Sequence, residues 1–245
     1  MLRITDARTG ESVDASTARR GLTRVEVHAP GLDATTLRVL LVADVLVRAL
    51  ELGGTPVWAL MSGDRDRAEL RTACAALGVR PLEDRRDTGA APAGARVIHV
   101  AQEGGTTSDG IWIGVAPVDP GPVLLGQGVV GGVNPDVLRL ALLAPRRSTP
   151  VRLDDTSLDE ARAGLAHWRR AVAAWARRPS RPVPDELREQ LRGAWEDDLD
   201  IASVLRVLGR VESEPELPDG ARFETYAYAD RLLGLELTRD LGAAA

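Results

Sequence analysis

The stretch VEVHAPGLDATTLRVLLVADVLVRALELGGTPVWAL, from Val25 to Leu60, predicts one strand, one helix and a second strand. The alternating β-branched run Val25–Val27 favours a strand, and the His-Ala-Pro-Gly segment after it ends that strand. Leucines then recur at helical spacing behind three candidate N-cap residues, Asp33, Thr35 and Thr36, and a Gly-Gly pair ends the helix. Two parallel strands joined in this way need a right-handed crossover. The stretch therefore predicts the centre of a parallel α/β sheet.

The same stretch predicts where a ligand would bind. In an open α/β sheet the carboxyl end of a strand and the N-terminus of the next helix face the ligand crevice, where backbone N–H groups favour anions. Further strands are predicted at Val57, Val97 and Ile111, and their carboxyl ends lie at the same edge of the sheet. The residues of this candidate ligand pocket are His28, Gly31, Asp33, Thr35, Thr36, Asp64, His99 and Trp112.

Two of these residues also have a structural interpretation. Asp64 is expected to cap a helix from Arg65 to Leu77, since it directly precedes that segment. Trp112 lies in an apolar strand, where a core aromatic side chain is more frequent than a ligand contact. For both residues we expect the structural role to prevail.

The C-terminal part of the chain is predicted to be a bundle of four or five helices. Asn134 precedes Pro135 at a preferred helix start, and Thr156 with Asp159 resembles a capping box. Apolar residues repeat at three-four spacing through most of the remaining chain. We therefore expect a Rossmann-like domain at residues 1–130 and a helical bundle at 131–245. Residues 1–24 are expected to be a solvated lead-in, and 83–94 a linker without regular structure.

Composition argues against a nucleic-acid-binding protein, a membrane protein and a disulfide-bonded protein. The 245 residues are 44% hydrophobic and carry a formal net charge of −5, which argues against strong binding of nucleic acid. There is no run of eighteen apolar residues and no signal-peptide core, so a cytoplasmic protein without membrane contact is expected. Cys74 is the only cysteine, which excludes an intrachain disulfide and a thiolate zinc cluster.

Several segments resemble one known family. Ala43-Asp44-Val45-Leu46 with the Val57-Trp58 strand is similar to the first helix and second strand of cysteinyl-tRNA synthetases and of the related cysteine ligase of mycothiol synthesis. Further segments that resemble these class I synthetase-like enzymes, in the same order, are 75–81, 134–143, 165–172 and 194–200. The resemblance implies a reduced Rossmann-type parallel sheet followed by a helical bundle. It also places the family's large connective insertion at the predicted linker, where this chain is shorter.

The catalytic signatures of that family are absent from this sequence. Where the family has His-Ile-Gly-His, this chain has Asp33-Ala34-Thr35-Thr36, and where it has Lys-Met-Ser-Lys-Ser, residues 122–127 are Pro-Val-Leu-Leu-Gly-Gln. In the family, the Lys-Met-Ser-Lys-Ser loop is the clamp that holds the pyrophosphate. All thirty-one basic residues of this chain are arginine, so no lysine is available for such a clamp. Loss of one such donor costs on the order of 10²–10³ in rate. We therefore expect no catalytic residues and no cofactor, and a degenerate, non-catalytic protein that binds a partner protein or a small ligand.

One alternative stays open. Arginine and backbone donors could replace the lost signatures, so that the chain still adenylates cysteine or a related amino acid with ATP. Exchange of pyrophosphate into ATP that depends on one amino acid would distinguish such a divergent ligase from the non-catalytic protein.

Zinc is not expected on the family pattern. His28 falls where the family has its first zinc cysteine, and histidine is a competent zinc ligand. The second cysteine, the histidine and the glutamate that complete the family's site have no recognisable counterparts, so no metal is predicted.

Association with another protein chain is predicted from the absence of the family's connective insertion. Loss of the connective insertion should expose apolar surface near Trp195 and residues 90–95, and such surface usually marks association. A homodimer or a complex with another protein is therefore expected, whereas tRNA is not.

Overall fold

The computed structural model describes residues 1–16, 21–85, 94–105, 109–121 and 132–242. Its strands are β1 (Arg3–Thr5), β2 (Ser12–Asp14), β3 (Thr23–His28), β4 (Val57–Ser62), β5 (Glu83–Asp84), β6 (Arg96–Gln102), β7 (Ile111–Val115), β8 (Val118–Asp119) and β9 (Val151–Arg152). Its helices are α1 (Ala34–Leu52), α2 (Arg67–Ala76), α3 (Pro135–Leu143), α4 (Asp155–Trp175), α5 (Asp185–Glu196), α6 (Ile201–Ser213) and α7 (Asp219–Leu233).

Five parallel strands form the central sheet, in the order β5-β4-β3-β6-β7. The predicted strands at Val25, Val57, Val97 and Ile111 are all in this sheet, and five described helices follow it along the chain. The predicted α/β fold with a C-terminal set of helices is confirmed. None of the described helices has the length and apolarity that a membrane crossing requires.

The central strand β3 has two different faces. Val25 and Val27 are fully buried in the same apolar core as the leucines of α1. Since side chains along a strand alternate between faces, Arg24, Glu26 and His28 lie on the opposite face of the sheet. One face is therefore an apolar core and the other is polar.

Helix α1 lies at the centre of the molecule and contacts the sheet as well as α2, α3 and α7. Its N-terminus is capped by Asp33, whose carboxylate accepts the N–H of Thr36 at 2.6 Å, and Gly53 takes its C-cap position. Even its Arg38 is fully buried, with Nη1 donating to the carbonyls of Ala116 and Thr149 at 3.0 and 2.7 Å. The core of the protein is thus built on both the sheet and the helices.

A second buried arginine joins the two parts of the chain. Arg139 of α3 donates to the carbonyls of Leu77 and Leu233 at 2.9 and 2.7 Å and forms an ion pair with Asp44 of α1. Neither side chain of this ion pair is more than 1% exposed. The division into domains at residues 130 and 131 stays a prediction, and α3 and α7 pack directly on α1.

Two predicted helix starts are wrong. Helix α2 begins at Arg67 rather than Arg65, and Asp66 rather than Asp64 takes its N-cap position. Helix α4 is capped by Asp154 and Ser157 rather than by the predicted Thr156 and Asp159. The Asp154 carboxylate accepts the Ser157 N–H at 2.9 Å, and the Ser157 hydroxyl accepts the Asp154 N–H at 3.0 Å. This reciprocal pair satisfies two N–H groups that would otherwise lack partners.

The N-terminal segment is solvated only in part. Strands β1 and β2 form an antiparallel hairpin, with Leu2 and Ile4 buried in the core. The N–H of Thr5 donates to the carboxylate of Asp198 at 2.8 Å, which joins the hairpin to the segment before α6. Apolar burial and this hydrogen bond hold the start of the segment, whereas residues 7–12 are exposed as predicted.

The predicted linker and exposed edge also differ. Residues 83 and 84 form β5 beside β4, whereas 86–93 and the clamp segment 122–127 lie outside the described residues. Trp195 is only 3% exposed because it packs in the helical core, so the prediction of an apolar edge there is wrong. In the described ranges the exposed large hydrophobic residues are Met1 and Leu241. Self-association stays a prediction.

Candidate functional site

Polar side chains gather on the face of the sheet opposite α1. Strand β3 contributes Arg24, Glu26 and His28, and the parallel register sets Ser62 of β4 beside His28 and His99 of β6 beside Glu26. The next strand, β7, sets Trp112 beside His99. We call this group the polar face; it consists of Arg24, Glu26, His28, Ser62, His99 and Trp112.

Two histidines meet at the centre of the polar face. Nε2 of His28 lies 3.1 Å from Nδ1 of His99, although 71 residues separate them in sequence. On its other side, Nδ1 of His28 lies 3.2 Å from the hydroxyl of Ser62, and that hydroxyl donates to the carbonyl of Val27 at 3.2 Å. His99 is only 6% exposed, and His28 is partly buried. The two predicted histidines are thus brought together.

Trp112 forms a wall beside both histidines. Its ring centroid lies 5.3 Å from that of His28 and 5.6 Å from that of His99. Trp112 is only 3% exposed, as the core interpretation predicted. The indole therefore limits the space around the two imidazoles and restricts access of water to one side of them.

Glu26 supplies the negative charge of the polar face. One carboxylate oxygen is 2.9 Å from Nε of Arg24, and the other is 3.4 Å from Nε of Arg85 and 3.8 Å from Nδ1 of His99. Arg24 and Glu26 are both at least 90% buried, whereas the Arg85 side chain is 56% exposed. Burial of a carboxylate is costly unless such partners pair with it.

Burial favours the neutral form of both histidines. Burial lowers the pKa of His28, the neighbouring His99 lowers it further, and Glu26 opposes the change. Burial also lowers the pKa of His99, against the opposing effects of Glu26 and of a backbone hydrogen bond with Asp109. Neutral imidazole nitrogens can act as bases, as hydrogen-bond acceptors or as metal ligands.

Three side chains of the polar face could together hold a metal ion. Donor atoms of Glu26, His28 and His99 all lie within 4.8 Å of one another, and this is the one such group among the described residues. Two imidazoles and a carboxylate are ligands that zinc and other first-row transition metals accept.

Four other predicted residues lie at the start of α1 and have structural partners. The Thr35 hydroxyl accepts the N–H of Val118 at 3.0 Å, and the Thr36 N–H is held by Asp33. Gly31 lies beside Asp66, since a Cβ at that position would be 3.2 Å from the Asp66 carboxylate. These contacts fix the loop before α1, and a ligand role for its residues stays a prediction.

Asp64 differs from its predicted roles. Its side chain is 74% exposed and lies 3.8 Å from a guanidinium nitrogen of Arg67. The capping role is wrong, because Asp66 has the N-cap position and its carboxylate accepts the N–H of Leu32 at 2.9 Å.

Sequence reasoning missed three members of the polar face. Arg24, Glu26 and Ser62 were not among the predicted pocket residues, although they pair with or neighbour His28 and His99. A signal was present, because every second residue of β3 from Arg24 to His28 is polar. A buried parallel strand is usually apolar on both faces, so this alternation marks an unusual sheet face.

Comparison with known proteins supports the resemblance. No protein-family model matches the chain. Curated relatives named L-cysteine:1D-myo-inositol 2-amino-2-deoxy-alpha-D-glucopyranoside ligase do match it. The protein of Streptomyces griseus is 36% identical over 110 residues, which is 43% of this chain and 26% of the relative. The protein of Streptomyces avermitilis is 39% identical over 79 residues, or 32% of this chain and 18% of the relative.

Part of this chain is therefore similar to part of these cysteine ligases. A third relative of the same name, from Catenulispora acidiphila, is 37% identical over 89 residues, which is 36% of this chain and 20% of the relative. In these matches this chain spans about a quarter or less of the relatives' length.

Proposed function

We propose that this protein does not activate an amino acid and instead binds a small ligand at its polar face. The observation that carries the proposal is the position of Asp33. Its carboxylate accepts a backbone N–H at the start of α1, where an anionic group of a ligand would otherwise bind.

A triphosphate at that helix start would meet unfavourable electrostatics. The positive end of the helix is already compensated by the Asp33 carboxylate, and a second anion beside it would be repelled. The chain has no lysine to offset this charge. Activation of an amino acid requires donors that stabilise charge as it develops on the phosphates, so the proposal predicts no adenylate.

The polar face offers different chemistry. Two neutral histidines, a buried glutamate and an indole wall suit a small polar ligand better than a polyphosphate. The curated relatives are named for L-cysteine and for an amino sugar joined to inositol. These two compounds are therefore the first ligands to screen.

Pyrophosphate exchange tests the absence of activation. We expect the wild-type chain to show no exchange into ATP with any amino acid. We expect the same for Asp33→His, because that change restores one histidine but no clamp. The matched control is Asp159→His, which changes an aspartate that is 70% exposed on α4, and the Streptomyces griseus ligase serves as the active reference.

The result that contradicts the proposal is exchange that depends on one amino acid. Such exchange in the wild-type chain would support the divergent ligase instead. Ligand binding is measured separately, by the shift in unfolding temperature with L-cysteine and with the amino sugar–inositol. A shift that Trp112→Leu removes and Trp168→Leu keeps would support binding at the polar face, since Trp168 packs on the helical core.

A further inference from the structure

The hydrogen bond from His28 to Ser62 fixes the tautomer of His28. The Ser62 hydroxyl uses its proton on the carbonyl of Val27, so its oxygen must accept a proton from Nδ1 of His28. Neutral His28 therefore carries its proton on Nδ1 and a lone pair on Nε2. This lone pair points toward His99, whose Nδ1 lies 3.1 Å away.

The hydrogen bond of His99 with the backbone of Asp109 has the same effect on the second ring. Because Nδ1 of His99 faces His28, Nε2 is the ring nitrogen that remains for the Asp109 backbone. A proton donated from Nε2 leaves a lone pair on Nδ1. Two lone pairs then face each other, with the Glu26 carboxylate 3.8 Å from one of them. Such a group is repulsive unless a cation lies between its members.

We propose that Glu26, His28 and His99 bind one divalent transition-metal ion of the zinc class. Two imidazole nitrogens that are each about 2.0–2.1 Å from a tetrahedral ion lie about 3.3 Å apart. The two nitrogens here are already 3.1 Å apart, and the carboxylate oxygen lies 3.8 Å from the nearer of them. Movements of about half an ångström by these ligand atoms would complete a three-ligand site.

The ligand types select the class of metal. Magnesium and calcium bind oxygen ligands almost exclusively, whereas two imidazoles with one carboxylate favour zinc, cobalt or nickel. Three protein ligands leave one position for water or for a bound molecule. The family resemblance assigned a ligand position only to His28, whereas Glu26 and His99 enter through the strand register of this chain.

Two arginines next to Glu26 limit the affinity of the site for a metal ion. Arg24 and Arg85 both approach its carboxylate, so a metal ion must compete with them. Arg24 is buried and fixed, but the Arg85 side chain is 56% exposed and can turn toward solvent. Removal of this competing charge by Arg85→Gln should therefore tighten metal binding.

Metal titration of the 245-residue chain tests the site. After treatment with a chelator, the protein is titrated with Zn²⁺ by calorimetry and with Co²⁺ by visible absorption. We expect one ion per chain and the absorption of a cobalt site with nitrogen and oxygen ligands. His28→Gln and His99→Gln should abolish it, and Ser62→Ala should weaken it about tenfold, because an outer hydrogen bond orients the ligand.

The matched control is the third histidine of the chain. His167 pairs with Glu212, and its side chain is 54% exposed, so His167→Gln should leave binding unchanged. Circular dichroism confirms folding of each variant, and His28→Gln is the milder change because His28 is only partly buried.

Three results would overturn the proposal: no saturable binding, binding that survives both ligand variants, or binding lost only in His167→Gln. The inference uses the same polar face as the proposed function, but the titration contains neither ATP nor amino acid. Its failure therefore leaves the pyrophosphate-exchange result intact, and the reverse also holds.

Discussion

Loss of the buried carboxylate of Asp44 should destabilise the protein strongly. Asp44 accepts hydrogen bonds from Nε of Arg48 at 2.8 Å and from the N–H of Arg80 at 3.1 Å, and it neutralises Arg139. The variant Asp44→Ala would leave the fully buried Arg139 guanidinium with carbonyl acceptors only, at Leu77 and Leu233. An unpaired buried charge is much more costly than a lost surface ion pair.

The expected magnitude follows from this burial. Removal of one partner of a buried ion pair costs about 3–5 kcal/mol, out of a typical total of about 5–15 kcal/mol. In a chain of this length that loss corresponds to about 6–20 °C in unfolding temperature. The double variant Asp44→Leu with Arg139→Met should lose less than Asp44→Ala alone, because it leaves no unpaired charge.

Urea denaturation followed by circular dichroism measures these free energies of unfolding. The matched control is Asp159→Ala, which removes the exposed ion pair with Arg162 and should change stability by less than about 0.5 kcal/mol. If Asp44→Ala lost less than about 1 kcal/mol, or if the double variant were the less stable of the two, the argument from buried charge would be refuted.

Two further predictions concern acid stability and association. Burial raises the pKa of Asp200, but hydrogen bonds from Ser203 and the charge of Arg146 outweigh it, so the folded-state pKa lies below 3.8. The ionised Asp200 carboxylate therefore stabilises the fold above its ordinary pKa, and this stability is lost as pH falls through the lowered pKa. The urea midpoint of Asp200→Asn should depend less on pH in that acid range than the wild-type midpoint does. An equal pH dependence of the two midpoints would contradict this. Light scattering at micromolar concentration is expected to show a homodimer, and a monomer that also recovers no partner from its host lysate would contradict association.

The sheet and the first helix could be predicted because their signals are local. Alternation at Val25–Val27, a polar cap at Asp33 and glycine at the helix end each act within a few residues. The helix starts at Arg67 and Asp155 were missed by one or two residues, because several neighbouring polar side chains can all serve as a cap. Which one does so depends on contacts such as that of Asp66 with Leu32.

The amino-acid sequence by itself determined the class of fold, the places of four sheet strands and of α1, and the likeness to cysteine ligases. These depend on periodicity and on motifs that lie along the chain. Only the tertiary structure decided that Glu26, His28 and His99 share one group, because strand register sets side chains together regardless of their separation in sequence. It also decided that Trp195 is buried rather than exposed. An amphipathic pattern identifies an apolar side chain but not the element that covers it, so burial follows from packing alone.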